Sequence, residues 1–364
     1  MTRFLLAGGG TAGHVNPLLA LADAIRESNP TDMVWALGTQ EGLESRLVPE
    51  RGFDLLVIPR LPFPRRLNRA ALSFPGRYRA AVNQVVGYLK QHQIDIVVGF
   101  GGYASAPAYS AAKKLGIPYV VHEANALPGM ANRVAARGAA EVAVAFSNTK
   151  LPNAVFVGMP LRREIEVLSK GISTADRVAA RAHFGLDEST TTLLVTGGSL
   201  GAKRINDTIE ASRPALSAAG IQVLHIVGER SELEPVSTPD YVRIRYCDRM
   251  DLAISAADFA VCRAGSATVS EFTALGLPAV YVPYPVGNGE QKHNIEYLLF
   301  MEGGLICLDA DFNPQYVQST LIPIVSDTRA RTLMAQNAKL SGIADGSARL
   351  LGLVRSVLAP AKSA

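Results

Sequence analysis

The stretch Phe4-Leu5-Leu6-Ala7-Gly8-Gly9-Gly10-Thr11-Ala12-Gly13-His14-Val15-Asn16-Pro17-Leu18 decides the fold. A short apolar run ends in glycines, which let a backbone turn tightly and approach a ligand closely. Beyond them Leu18–Glu27 reads as an amphipathic helix, with Asn16 at its cap and Pro17 at its first position. A strand, a glycine loop and a helix in that order open a βαβ unit. The start of such a helix offers partial positive charge and N–H groups to a phosphate.

The same order of elements recurs along the chain. Phe4–Ala7, Met33–Leu37, Asp54–Ile58, Ile94–Gly99, Tyr119–His122 and Glu141–Ala145 read as buried strands, with helical stretches such as Ser105–Leu115 between them. The rhythm pauses at Val157-Gly158-Met159-Pro160-Leu161-Arg162. It resumes with strands at Thr192–Thr196, Gln222–Val227, Val242–Tyr246, Phe259–Cys262 and Ala279–Val282, separated by helices at Lys203–Leu216, Ala267–Leu275 and Gln291–Phe300. Alternation of this kind predicts parallel sheets covered on both faces. The fold class is therefore α/β, with two doubly wound, Rossmann-like domains and a hinge near Met159–Arg162. The predicted division is 1–160, 161–345 and a C-terminal helix within 346–364 that is expected to pack back on the first domain.

With 364 residues, 48% of them hydrophobic and 19% charged, the chain can build two cores. A net charge of +4 does not by itself argue for a nucleic-acid partner. Cys247, Cys262 and Cys307 lack metal-ligand spacing and suit a reducing compartment. The run Met1–Ala7 is too short for a signal peptide, and nothing approaches the roughly 20 apolar residues of a membrane span. Any membrane contact is expected to be peripheral.

In doubly wound sheets, ligands bind beyond the carboxyl ends of the strands. Gly8, Gly10 and Gly13 match the dinucleotide fingerprint, but the second strand ends Leu37-Gly38-Thr39 without the acid that holds a ribose, which disfavours NAD. His14 lies near a helix start, which favours a neutral imidazole able to accept a proton. It serves as base or sugar contact, or it merely bonds the loop. His122-Glu123-Ala124-Asn125 ends another strand and either meets sugar hydroxyls or is an ordinary polar loop. In the second half, Gly197-Gly198-Ser199-Leu200-Gly201 repeats the strand–glycine–helix pattern, so Ser199 is placed to bond a phosphate unless the loop is only a turn. Cys262-Arg263-Ala264-Gly265-Ser266-Ala267-Thr268-Val269-Ser270-Glu271 leaves room for a diphosphate at a helix start. Glu271 is read as the ribose acceptor in preference to a carboxylate that only complements the helix dipole. Around Pro283-Tyr284-Pro285 and Glu290-Gln291-Lys292-His293-Asn294, polar groups gather at another helix start. Asp309-Ala310-Asp311 has a metal-binding form but reads as a solvated turn, so no metal and no cofactor are expected. The acid-free stretch from Arg60 to Arg79, with Arg65, Arg66, Arg69, Leu72 and Phe74, suits an anionic membrane surface. RNA, or a solvated loop, is the other reading there.

Taken together, these residues resemble the MurG family of peptidoglycan N-acetylglucosaminyltransferases. The likeness rests on Gly8–His14 with Asn16-Pro17, Gly99–Tyr103, His122–Asn125, Gly158–Arg162, Gly197–Ala202, Cys262–Glu271 and Gln291, in order through nearly the whole chain. It implies a GT-B arrangement, with the acceptor held mainly by the first domain and the UDP-sugar by the second. The implied reaction moves N-acetylglucosamine from UDP-N-acetylglucosamine to the 4-hydroxyl of undecaprenyl-diphospho-N-acetylmuramoyl-pentapeptide, with inversion and without a metal. Donor contacts fall by position on Thr11, Ala12, Gly13, Asn125, Arg162, Ser199, Cys247, Ser266, Ala267, Thr268, Val269, Ser270, Glu271 and Gln291. His14 leads as proton acceptor, with Glu123 in reserve. The implied location is the cytoplasmic face of a bacterial cell membrane. Alternatives are another GT-B UDP-sugar transferase with a glycolipid or small-molecule acceptor, a UDP-sugar 2-epimerase, or a non-catalytic UDP-sugar-binding subunit.

Overall fold

The computed structural model describes residues 1–64 and 69–359, which form two compact units. The first comprises Met1–Arg162 together with the chain from Asp345 onward, and the second comprises Arg163–Ala344.

The first unit is built on β1 (Arg3–Ala7), β2 (Met33–Gly38), β3 (Asp54–Val57), β4 (Ile96–Gly99), β5 (Tyr119–Glu123), β6 (Glu141–Val144) and β7 (Ala154–Phe156). They form one parallel sheet in the order β3-β2-β1-β4-β5-β6-β7. Side chains of a strand alternate between faces, so a sheet buried on both faces needs apolar residues at successive positions. In β1, Phe4 and Leu6 join one core with Val15, Leu18 and Leu21, whereas Leu5 and Ala7 join a second core with Val85, Ala104 and Ala108. Each fully buried large side chain contributes on the order of 1.5–3 kcal/mol. The helices supplying these faces include α1 (Ala12–Ser28), α2 (Glu44–Glu50), α3 (Arg69–Gln91), α4 (Gly102–Leu115) and α5 (Met130–Ala135). The C-terminal helix Gly346–Leu358 lies against α1, where Leu350, Leu351 and Val354 complete the first core.

The second unit repeats the plan. Its strands are β8 (Thr191–Thr196), β9 (Ile221–Ile226), β10 (Val236–Thr238), β11 (Tyr241–Ile244), β12 (Phe259–Cys262), β13 (Ala279–Tyr281) and β14 (Gly304–Ile306). They are ordered β10-β11-β9-β8-β12-β13-β14, parallel except where β10 pairs with β11. In both units the strand order reverses beside the first strand, between β1 and β4 and between β8 and β12, which is where such sheets bind ligands.

Several local expectations need correction. The first helix begins at Ala12 rather than Pro17, so Asn16 is not its cap and Pro17 lies inside it. Proline lacks the N–H that would reach the carbonyl four residues earlier, leaving Ala12–Asn16 as a first turn ahead of it. The expected helix Gln291–Phe300 is broken into Glu290–Asn294 and Glu296–Phe300. From Arg69 the arginine-rich stretch is helix rather than loop.

Candidate active site

In the first unit, the site is organised around the loop after β1. Thr11 is exposed and stands at the cap of α1, its carbonyl accepting from the N–H groups of His14 and Val15. Ala12 and Gly13 are the first helical residues, and His14 sits in the first turn rather than ahead of it. The half-buried His14 ring places Nδ1 3.2 Å from the Gly9 carbonyl and 3.3 Å from Thr11 Oγ1. A carbonyl can only accept, so this contact puts the proton on Nδ1 and the free lone pair on Nε2. That nitrogen faces Gly101, where a Cβ would come within 3.2 Å of it. Burial holds the imidazole below its ordinary range, opposed by the Glu123 carboxylate, the Gly9 carbonyl and the Glu44 carboxylate. The ring is thus neutral at pH 7, with its acceptor nitrogen set by the backbone.

Glu123 ends β5 and is buried. Its Oε1 accepts from the Asn125 N–H at 2.9 Å, and its Oε2 from the Gly129 N–H and Asn132 Nδ2, both at 3.0 Å. Tyr109 in turn donates to Asn132 Oδ1 at 2.9 Å. Glu123 is therefore the organiser of the loop bearing Asn125, and its oxygens are occupied by N–H donors. His122 is fully buried and held neutral, its pKa pushed down to about 4 by burial, and its Nε2 meets the Gly158 carbonyl at 3.3 Å.

The second unit gathers its loops along the carboxyl edge of β11, β9, β8, β12 and β13. Ser199 is exposed on the loop after β8, and its carbonyl accepts from the Glu229 N–H at 2.9 Å. Ser266, Ala267, Thr268, Val269, Ser270 and Glu271 form the opening of a helix that runs to Leu275, with Ser266, Ser270 and Glu271 buried. Gln291 accepts from the Tyr284 N–H at 2.8 Å, and Asn294 donates to the Ala264 carbonyl at 3.1 Å, tying this segment to the loop after β12. Cys247 is half-buried beyond β11. Arg162, also half-buried, is the last residue of the first unit before the chain enters the second. Arg65 and Arg66 lie outside the described residues. Leu72 is 84% exposed, and Phe74 makes aromatic contacts with Phe63 and Tyr78.

Sequence reasoning missed two carboxylates. Asp309–Asp311 is a turn with Ala310 and Asp311 exposed, but Asp309 itself is largely buried and ion-paired with Arg263 at 2.6 Å, while Arg263 also donates to the Val282 carbonyl at 3.0 Å. This pair anchors the start of the loop after β12. Glu44, fully buried, turns its carboxylate toward the loop after β1. Arg263 and Gly10 lie far from these carboxylates in sequence, so only the fold reveals those contacts.

Two Rossmann-like sheets in one chain, each with glycine loops at its carboxyl edge, give the architecture of the GT-B class. Family models agree: the glycosyltransferase family 28 N-terminal domain matches residues 4–144 and the family 28 C-terminal domain matches 192–350. The chain is 56% identical over 361 residues to the UDP-N-acetylglucosamine--N-acetylmuramyl-(pentapeptide) pyrophosphoryl-undecaprenol N-acetylglucosamine transferase of Leifsonia xyli subsp. xyli, covering 99% of this chain and 100% of the relative. It is 48% identical to the enzyme of that name from Streptomyces coelicolor, with 98% of each covered. The crystal structure of Acinetobacter baumannii MurG superposes with a TM-score of 0.77 at 27% identity, covering 98% of this chain and 100% of that one. The chain belongs to glycosyltransferase family 28 and, within it, to the MurG family of N-acetylglucosaminyltransferases.

Proposed function

We infer that the chain transfers N-acetylglucosamine from UDP-N-acetylglucosamine to the 4-hydroxyl of undecaprenyl-diphospho-N-acetylmuramoyl-pentapeptide, with inversion, in peptidoglycan synthesis. On the chain's own side, the observation that carries this reading is His14 Nδ1 held against the Gly9 carbonyl, which leaves Nε2 as a neutral acceptor. The acceptor oxygen attacks the anomeric carbon of the donor sugar from the face opposite UDP. As that bond forms, the bond from carbon to the diphosphate oxygen breaks and its electron pair leaves with UDP. The hydroxyl proton passes to His14 Nε2. Ser199 and the opening Ser266–Ser270 bind the diphosphate with backbone N–H groups and hydroxyls, which stabilise charge as it develops there. Glu271 accepts from the ribose hydroxyls, and Cys247 lies by the uracil. Thr11, Ala12, Gly13, Asn125, Arg162 and Gln291 are further donor contacts.

The decisive assay incubates the purified protein with radiolabelled UDP-N-acetylglucosamine, the lipid-linked muramoyl-pentapeptide acceptor and EDTA. Label is expected in the lipid product at an undiminished rate. Tight donor binding without transfer would favour another acceptor or a binding subunit. Loss of transfer in EDTA would overturn metal independence.

The enzyme is proposed to dock peripherally on the cytoplasmic face of the membrane, through the arginine-rich segment and the exposed Leu72 beside it. No described helix is long and apolar enough to cross a membrane. Replacing Arg65, Arg66 and Arg69 by glutamate is expected to weaken binding to phosphatidylserine vesicles by roughly tenfold or more, because each cation near an anionic surface adds attraction. Sedimentation with such vesicles measures this, and unchanged binding would remove the docking role.

A further inference from the structure

Glu44 is a fully buried carboxylate in the first turn of α2, and among the described residues no cation lies within ion-pair distance of it. Burying an unpaired charge is unfavourable unless hydrogen bonds replace its lost water. Three do so: Oε2 accepts from the Gly10 N–H at 2.8 Å, and Oε1 accepts from both the N–H and the hydroxyl of Thr39, each at 2.8 Å. The surrounding backbone makes room for this carboxylate in particular. A Cβ on Gly9 would fall 2.3 Å from Oε1, one on Gly38 2.4 Å from Cγ, and one on Gly42 2.0 Å from Oε2. Gly10 follows Gly9, whose carbonyl orients His14. The peptide between them thus has its N–H on Glu44 and its oxygen on the imidazole.

We propose that Glu44 is a positioning residue for proton transfer: by holding the Gly9–Gly10 peptide through the Gly10 N–H, it aims the Gly9 carbonyl that keeps the His14 proton on Nδ1. This rests on the assignment of His14 as base. Glu44 also contributes charge. The titratable groups acting on the imidazole are Glu123 from β5, Glu44 from α2 and, in the neutral form, His122 beside Glu123. When His14 takes the hydroxyl proton it becomes a cation, and both carboxylates stabilise it. Glu44 touches neither substrate in this account and acts only through Gly9 and His14.

Glu44→Gln tests this with almost no change in volume. Only one acceptor oxygen remains in the amide: either the Gly10 N–H loses its partner and the peptide turns, or the Thr39 N–H does and the side chain that holds the peptide is itself displaced. The kcat is expected to fall roughly tenfold to a hundredfold, a part of what general-base catalysis supplies. The KM for UDP-N-acetylglucosamine should stay within about twofold, since no donor contact is removed. Glu44 raises the imidazole pKa, so losing its charge moves the acid limb of kcat/KM to lower pH. A purely structural role would lower the melting temperature and kcat but leave that limb fixed, and would overturn the proposal. Titration of the ¹⁵N-labelled His14 ring by NMR separates the two layers. If the ring's tautomer and pKa change in Glu44→Gln while the kinetic limb does not follow, Glu44 positions His14 but His14 is not the base. If the ring is unchanged, the positioning role is wrong whatever His14 does. Should Glu44→Gln fail to fold, Thr39→Val removes one of the three bonds while keeping the carboxylate. It should shift the ring's tautomer balance in the same direction to a smaller extent, and an unaltered ring would overturn the proposal.

Discussion

Replacing His14 by alanine is expected to lower kcat by roughly a hundredfold to ten-thousandfold, the range that a positioned general base supplies. The KM for UDP-N-acetylglucosamine should remain within about threefold, because the side chain acts on the proton of the other substrate. The argument begins in the backbone. Gly102 has φ +77°, and a Cβ there would meet the Gly9 carbonyl oxygen at 2.5 Å, so the start of α4 packs directly on the group that orients the imidazole. Ser105 locks the neighbouring turn, accepting from the Gly101 N–H at 2.9 Å and donating to the Ala7 carbonyl at 2.8 Å. The Glu123 oxygens already accept from the N–H groups of Asn125, Gly129 and Asn132. The pH dependence has a definite sign. Burial lowers the His14 pKa, so the wild-type ring is deprotonated and active above a value below its ordinary 6.5. The kcat/KM then falls as pH drops through that value, and this limb should disappear in His14→Ala. Near-normal turnover of the variant with both substrates saturating would end the assignment.

What could be read from the sequence and what could not divide along physical lines. Buried parallel strands need apolar residues on both faces, and runs such as Phe4–Ala7, Thr192–Thr196 and Phe259–Cys262 carry that pattern without help from the rest of the fold. The strands that went unread are β7 and β10, each 3 residues long. All of β7 is exposed, so its sequence bears no burial pattern at all. The glycine loops were legible because few other residues allow a backbone to turn and be approached so closely. Their supports were not. Glu44 follows the end of β2 within a short polar stretch, and nothing local says that its carboxylate will be buried. Gly9, Gly38 and Gly42 make that space only once β1 and β2 lie side by side. The Asp309–Arg263 pair likewise depends on the loops after β14 and β12 reaching each other. Pro17 misled because proline favours a helix's first position, yet it is tolerated inside a helix when the preceding turn can form separately. Motifs that act through their own backbone are local signals, while residues that act by holding another segment in place become visible only after folding.

The second large effect is expected at Gly201 on the donor side, where alanine should raise the KM for UDP-N-acetylglucosamine by at least about tenfold, equivalent to roughly 1.4 kcal/mol. Gly201 has φ +86°, and a Cβ there would stand 2.2 Å from the Val227 carbonyl oxygen. Gly228, at φ +89°, approaches from the other side, where its own Cβ would lie 2.1 Å from the Gly201 nitrogen. Two backbones therefore touch with no side chain between them, and the Ser199 carbonyl closes the contact by accepting from the Glu229 N–H. The obstructing Val227 oxygen cannot easily swing aside, because buried Asn206 donates to it at 2.9 Å. The loop carrying Ser199 must move instead, taking its phosphate-facing N–H groups out of register. Gly198→Ala supplies the control. That residue has φ +88° but its Cβ would meet nothing within 4 Å, so alanine there adds backbone strain of about 1–3 kcal/mol without the collision. Measured by donor KM and by product inhibition with UDP, Gly201→Ala should be the more severe variant, while retaining the pH limb that His14 imposes. Equal effects from the two substitutions would mean that left-handed backbone strain alone governs the loop, and that its close approach to Val227 does not set donor affinity.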